Sequence, residues 1–544
     1  MESTMFQLHI FYFTLTAQTL LLVPVLLALC VVGFGVYRLT LHPYAKYPGP
    51  FVAKITYFYG MYHAYKGDLH LDVWKCHEKY GPYVRYAPDR LLINTNRAIK
   101  DVYSSASNVQ KSEGYAPLPV FPGTWNSHTA INKKMHGRKR RIISQGFSDS
   151  ALRSAEPFIV DKVRKLCGAL YMAPKASGME ATSVWSGKMN MAKWDTYLTM
   201  DIVSDLAFGK SLDMLTSSKH RFITEVICGY IKRSYIAMQY PWLFRPGSHW
   251  LSADTWLFPR LLEERARYLA ATKYIVEDRI EREDNSRQDI MSHLLKAKDP
   301  DTGETLSFEE IWSEAYLMIS AGGDTTATAI SATFFYLSRN PSCLSTLQDC
   351  LRSTFPTVES IIQGPTLHSC TYLRACIDEA MRMSPPAPGV FWREILAGGL
   401  SITDEDGSVA EYLPPGLDVG TGIYSLHHNP LYFPNPWVYN PSRWLEPETS
   451  AEEVALAKSA YMPFSAGPRA CAAKSLAYVE MTLAVGRVVW LGEMRVAGRE
   501  GEGGFGRWED RGVERKGEYQ VEDQMTSRKD GPVLEFRRSE GIEG

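Results

Sequence analysis

The chain has 544 residues, with 59 Lys and Arg against 60 Asp and Glu and a formal net charge of −1. A balance this even excludes polyanion binding as an organising property, so nucleic acid is not an expected partner. The nine cysteines, scattered from Cys30 to Cys471 without a C-x-x-C pair, argue against a disulfide framework or a zinc site and for a reducing compartment; the length suits one large helical domain with an anchor.

From Thr19 to Tyr37 the sequence is apolar apart from its ends and long enough to cross a bilayer. No Lys or Arg precedes this span, whereas Arg38, Lys46 and Lys54 follow it, so the positive-inside rule puts everything downstream in the cytosol. A cleaved signal peptide would want a charged n-region and a shorter apolar stretch. Phe11, Tyr12 and Phe13 read as an interfacial belt. The expected division is a lumenal N-terminus (1–18), a transmembrane anchor (19–37), a proline-rich hinge (38–50) carrying His42-Pro43 and Pro48-Gly49-Pro50, and one domain over 51–544.

Tyr80-Gly81-Pro82 reads as a turn, with short strands at Tyr83-Val84-Arg85-Tyr86 and Leu91-Leu92-Ile93-Asn94 on either side of Pro88-Asp89. The run His136-Gly-Arg-Lys-Arg-Arg141 spaces His136 and Arg140 four apart on one helical face. It reads as a solvated face, a source of cations for a ligand's carboxylates, or a docking face for an acidic electron donor. From about residue 150 to 385 the apolar spacing is mostly helical, with breaks at Pro241, Pro246, Pro259, Pro300 and Pro341.

Ser307-Phe-Glu-Glu310 is a capping box opening a helix from Phe308 to Arg339. Its middle reads Ala321-Gly322-Gly323-Asp324-Thr325-Thr326, and each glycine there costs roughly 1 kcal/mol relative to alanine. Either the helix kinks, with a threonine bonded back to a carbonyl, or the glycines leave room for a small ligand, with Thr325 to hydrogen-bond it and Asp324 to relay protons. Glu379-Ala-Met-Arg382 sets opposite charges three apart just before Pro385-Pro386, and Pro441-Ser442-Arg443-Trp444 follows. Gly498 to Gly517 reads as a surface loop. Its Gly501-Glu-Gly503-Gly-Phe-Gly506 spells G-x-G-x-x-G without the strand and helix that a nucleotide site needs. Tyr519-Gln-Val and Val533-Leu-Glu-Phe read as a terminal strand pair around Thr526-Ser527.

The stretch Phe464-Ser-Ala-Gly467-Pro-Arg469-Ala-Cys471 presents one cysteine at the end of a tight loop, just before the Ala-rich helical run Ala472 to Ala484. Gly467 allows positive φ in the hairpin, Phe464 can shield the sulfur, and Arg469 supplies a cation for a carboxylate. The helix N-terminus brings N–H groups and positive dipole to the thiol, favouring thiolate. A buried structural cysteine is the alternative.

This Phe-x-x-Gly-x-Arg-x-Cys spacing resembles the haem-binding loop of the cytochrome P450 family, the haem-thiolate monooxygenases. The resemblance implies a mainly α fold with small β-sheets (α+β), a single large haem domain behind the N-terminal transmembrane helix, and iron protoporphyrin held by Cys471. It implies that Asp324 and Thr325 are the acid and alcohol acting on dioxygen, that Arg469, Arg393 and, with His136, Arg140 meet haem carboxylates, and that Glu379, Arg382 and Arg443 form a buried network. The family has Gly two residues after the cysteine where this chain has Ala473, so weaker haem retention is the expectation there. The substrate cavity is expected along Ala116 to Trp125, at Met318, Ala321, Val390 and Phe391, and at Met525-Thr526.

Lys66-Gly-Asp-Leu-His-Leu71 and the basic run resemble fungal microsomal members that hydroxylate terpenoids, polyketides or alkaloids. That likeness implies the endoplasmic reticulum membrane, a cytosolic catalytic domain, an NADPH-cytochrome reductase as electron donor, and a hydrophobic small-molecule substrate. Aromatic-acid hydroxylation in catabolism and a haem-binding protein without turnover are the competing functions.

Overall fold

Three of the prolines expected to break helices instead begin them: Pro241, Pro259 and Pro341 each occupy the first helical position, where the missing N–H has no intrahelical partner to lose and φ is already helical. The computed structural model describes residues 22–121, 123–171, 184–244, 256–282, 289–298, 303–404, 407–497 and 517–540. The expected lumenal segment with Phe11 to Phe13, the start of the anchor at Thr19, Pro246, Pro300 and the loop from residue 498 to 516 with its G-x-G-x-x-G lie outside the described residues.

Helix α1 (Leu22–Thr40) is apolar, and its span is not buried against the body. Its 19 residues reach about 28 Å at about 1.5 Å per residue, close to the thickness of a bilayer core. The segment after it is tied down. Tyr44 and Tyr47 are buried, the Arg85 N–H donates to the Pro48 carbonyl at 2.8 Å, and a Cβ on Gly49 would lie 2.2 Å from the Arg85 carbonyl oxygen. Only glycine fits between the two prolines.

The body is helical with small sheets. Helices α2 (Lys133–Ser144), α3 (Met191–Phe208), α4 (Phe222–Gln239), α5 (Phe308–Arg339), α6 (Thr371–Met383) and α7 (Lys474–Leu491) frame the site. The strands are β1 (Tyr83–Ala87), β2 (Arg90–Ile93), β3 (Val109–Lys111), β4 (Met189–Asn190), β5 (Arg393–Ile395), β6 (Leu400–Thr403), β7 (Val409–Leu413), β8 (Asp418–Gly420), β9 (Gly492–Val496), β10 (Glu522–Gln524), β11 (Thr526–Arg528) and β12 (Val533–Arg538). The two expected short strands form: β1 and β2 pair antiparallel and extend into a sheet of order β1-β2-β8-β5-β3. The terminal strands differ from expectation. β12 pairs with β9 and β4, while β10 and β11 form a separate hairpin at Met525. The loop that separates the partners in sequence hides this pairing.

The Ser307 capping box forms with both reciprocal bonds, and α5 runs over the expected 32 residues. Its glycine pair sits against α3. A Cβ on Gly323 would lie 2.5 Å from Met200, and one on Gly322 would lie 2.9 Å from Val203. The Thr199 hydroxyl donates to the Gly323 carbonyl. The glycines therefore let two helices approach closely, and the ligand-room explanation applies only to Gly322, which also faces a cavity.

Glu379 and Arg382 are fully buried, joined by two 2.9 Å bonds from the guanidinium. Arg443 Nε reaches the same carboxylate at 3.4 Å and Trp444 Nε1 at 3.0 Å. This network locks α6 to the segment around Pro441.

Candidate functional site

The turn carrying Cys471 requires its glycine. Gly467 has φ +66°, and a Cβ there would lie 1.7 Å from the Tyr103 carbonyl oxygen. The Cys471 N–H donates to the Phe464 carbonyl at 2.9 Å, closing the loop, and the Phe464 ring lies 5.1 Å from that of Tyr478. α7 begins at Lys474 with Ala473 as its N-cap, and the Ala473 N–H points at the sulfur. With φ −94°, Ala473 stands outside the left-handed region, so its methyl group imposes no backbone strain. Burial pushes the Cys471 thiol above its ordinary pKa; the Ala473 N–H, Arg140 and Lys474 oppose that without reversing it.

The exposed surface of Cys471 opens into a cavity of about 330 Å³. Thr325, Phe464, Arg469, Arg393, Arg140 and His136 line the same cavity. Gly467 and Asp324 do not. Gly467 shapes the turn from behind, and Asp324 pairs outside the cavity wall with Lys529, whose Nζ donates to Oδ1 at 2.7 Å and to the Asp324 carbonyl at 3.1 Å. Both partners are largely buried. Thr325 turns its hydroxyl back onto the Ala321 carbonyl at 2.7 Å. The acid and alcohol, adjacent in sequence, thus point to different environments, as consecutive residues on a helix must.

One end of the cavity gathers positive charge. Strand pairing sets Lys111 of β3 directly opposite Arg393 of β5, both buried, an arrangement that repulsion disfavours without an anion between them. Arg469 joins them, its guanidinium donating to the carbonyls of Ala130 and Ile131. Arg140 reaches the Ala470 carbonyl at 2.7 Å. Burial, with the neighbouring cations adding to it, lowers His136 to about 3, Arg469 to about 10, and Lys111 and His128 well below their ordinary values. Among the described residues no carboxylate forms an ion pair with any of these groups. The Tyr115 hydroxyl is buried beside them without a hydrogen-bond partner. The missing component is an anion, and a ligand bearing carboxylates fits it. Lys111, Tyr115 and His128 escaped sequence reading because no local pattern marks them; the β3–β5 register sets Lys111 opposite Arg393, and the chain after β3 folds Tyr115 and His128 against Lys111.

The rest of the wall is mostly apolar. Leu118, Met318, Ala321, Phe391, Met525 and Thr526 line the cavity as expected, whereas Val390 turns into the core beside it. Behind the wall, Glu314 accepts from both the N–H and the hydroxyl of Ser127 at 2.8 Å. Burial pushes Glu314 up to about 7, against an ordinary 4.5. Between those values the folded chain binds more protons than the unfolded chain, so this group's contribution to stability falls as pH rises through the window, by on the order of 3 kcal/mol in total. Glu314→Gln is expected to flatten that slope, losing less melting temperature than wild type between about pH 5 and pH 7 in a thermal-unfolding series.

One cysteine, a threonine of a long helix and a cluster of cations lacking an anion share one cavity, an arrangement that fits a haem held through a thiolate. The cytochrome P450 sequence profile matches residues 48–491, and the chain belongs to that family. It is 39% identical over 520 residues to the cytochrome P450 monooxygenase apf7 of Gibberella fujikuroi, covering 93% of this chain and 96% of that protein. It is 37% identical to the cytochrome P450 monooxygenase AKT7 of Alternaria alternata, covering 97% and 99%. It is 38% identical to the cytochrome P450 monooxygenase poxM of Penicillium oxalicum, covering 94% and 93%. The protein is a P450 monooxygenase, and its family binds haem through a cysteine thiolate.

Proposed function

We propose that this monooxygenase hydroxylates a lipophilic terpenoid, polyketide or alkaloid skeleton in fungal secondary metabolism. It would act at the endoplasmic reticulum membrane, with electrons from an NADPH-cytochrome reductase. The observation that carries the reading is the single cavity shared by Cys471, Thr325 and the anion-lacking cations. Cys471 would hold the haem iron through its sulfur. Arg469, Arg393, Arg140 and His136, with Lys111, hold the haem carboxylates. Phe464 covers the loop behind the sulfur, and Gly467 gives the loop its turn. When bound, the haem supplies activation of dioxygen and insertion of one oxygen atom.

Burial leaves the Cys471 thiol raised in the chain's own field, so bound iron would be what favours its deprotonated form. Thr325 orients at the cavity face, and Asp324 delivers protons once it is released from Lys529. Among the described residues, all six basic side chains lining the cavity belong to the cluster beside Arg393 and Arg469, which leaves no separate cation there for an aromatic acid and favours an apolar substrate. The exposed apolar helix α1 supports the anchor at 19–37, with a lumenal segment over 1–18, the proline segment at 38–50 and the catalytic body over 51–544 as the accompanying division.

The test is reconstitution of the full chain with haem and reductase, followed by mass spectrometry of extracts from a strain with and without the gene. An accumulated precursor one oxygen lighter supports the reading; unchanged metabolites overturn it. Asp324→Asn is expected to slow turnover about a hundredfold with an enlarged solvent isotope effect and unchanged haem content. Turnover that stays at the wild-type rate removes Asp324 from the mechanism.

A further inference from the structure

Met525 is one of four described non-glycine residues with positive φ, at +79°. L-residues rarely adopt that conformation, and it persists only where the surroundings over-determine it. It forms the tip of the β10–β11 hairpin and lines the cavity. The Met525 N–H is held by Asp523 Oδ1 at 3.1 Å. The second oxygen of the same carboxylate accepts from the Tyr235 hydroxyl at 3.0 Å, and Asp523 is fully buried. Tyr235 belongs to α4, whose preceding turn presents Ile231 and Ser234 to the cavity.

A third wall rests on the same hydrogen bond. A Cβ on Gly389 would lie 2.4 Å from the Tyr235 hydroxyl oxygen and 3.2 Å from Asp523 Oδ2, so the segment leading to Phe391 seats directly on the pair. Beyond the cavity, the Asp523 N–H donates to the Gly67 carbonyl at 2.9 Å. One carboxylate therefore sets the spacing of α4, the terminal hairpin and the segment after the double proline. A carboxylate needed only for folding would not have to hold a strained residue at the cavity surface.

We infer that Asp523 is the positioning residue of the substrate cavity: it fixes how far the Met525 side chain reaches, and so which bulky lipophilic molecules fit. This rests on the proposed reading of the cavity as a haem-and-substrate site. Two nitrogen ligands of ferric haem separate the ideas, the small imidazole and phenylimidazole, which adds a bulky phenyl ring; each is titrated into the full-length holoenzyme and followed by the Soret shift.

Asp523→Ala is expected to weaken phenylimidazole about tenfold, to leave imidazole within about twofold, and to leave haem content unchanged. Asp523→Asn, which keeps the acceptor for the Met525 N–H, is expected to restore the affinity. Met525→Gly should lose phenylimidazole affinity to the same extent, and the double variant should be no worse than Met525→Gly, because Asp523 acts through that side chain. Equal weakening of both ligands, no weakening of either, or losses that multiply in the double variant would each overturn the proposal. Should Asp523→Ala fail to load haem, Met525→Gly alone decides, and unchanged phenylimidazole affinity overturns it. If imidazole gives no shift in wild type, the haem-site reading falls and takes this inference with it; a wild-type shift with indifferent variants sinks the inference alone.

Discussion

Cys471→Ala is expected to remove both the thiolate-type Soret band of the reduced, CO-treated protein and all oxygenation, while the helical signal in circular dichroism is largely kept. Cys471 is the only cysteine that opens into the cavity. Burial raises Cys76, Cys167 and Cys376 well above the ordinary thiol pKa, so these sulfurs are poor candidates to substitute for it. The backbone of the loop is held by the Cys471 N–H to Phe464 carbonyl bond and the Gly467 turn, neither of which uses the sulfur. An alanine variant that kept the band would assign the iron to another ligand.

Glu379→Ala is expected to destabilise the protein by about 3–5 kcal/mol and to cause loss of the folded holoenzyme at physiological temperature. The carboxylate accepts from Arg382 Nε and Nη2, Arg443 Nε, Trp444 Nε1 and the Asn440 N–H. Removing it leaves the fully buried Arg382 guanidinium with the His427 carbonyl at 3.0 Å as its remaining acceptor, and an uncompensated buried charge is among the most damaging single changes. Denaturant titration of the full chain followed by haem absorbance reads the change. Loss below about 1 kcal/mol would make the network an ordinary surface-like pair.

The parts legible in the sequence were those encoded by short local patterns. The Ser307 capping box marks the start of α5, Asn340-Pro341 marks its end, and the Gly467 turn announces itself by residue type and spacing. What escaped was decided by distant chain segments meeting. Asp324 and Thr325 are neighbours in sequence, but only the fold shows that Lys529, some two hundred residues later, draws the acid out of the cavity. The glycines beside them speak of empty space when read alone, yet Met200 and Val203 of α3 occupy much of that space. Lys111 sits in an unremarkable strand, and its opposition to Arg393 exists only in the register of β3 with β5. Long-range pairing has no single-residue signature, so charges that converge this way are the part that sequence patterns miss.

The convergence of Lys111, Arg393 and Arg469 also bears on how the protein comes to exist in a cell. Until a dianionic ligand arrives, these groups repel one another in a buried space, which weakens the pairing of β3 with β5. Cofactor capture is therefore expected to stabilise the pairing of β3 with β5. Synthesis that outruns porphyrin supply should yield insoluble chains, and slowing translation or feeding a porphyrin precursor should raise the soluble fraction.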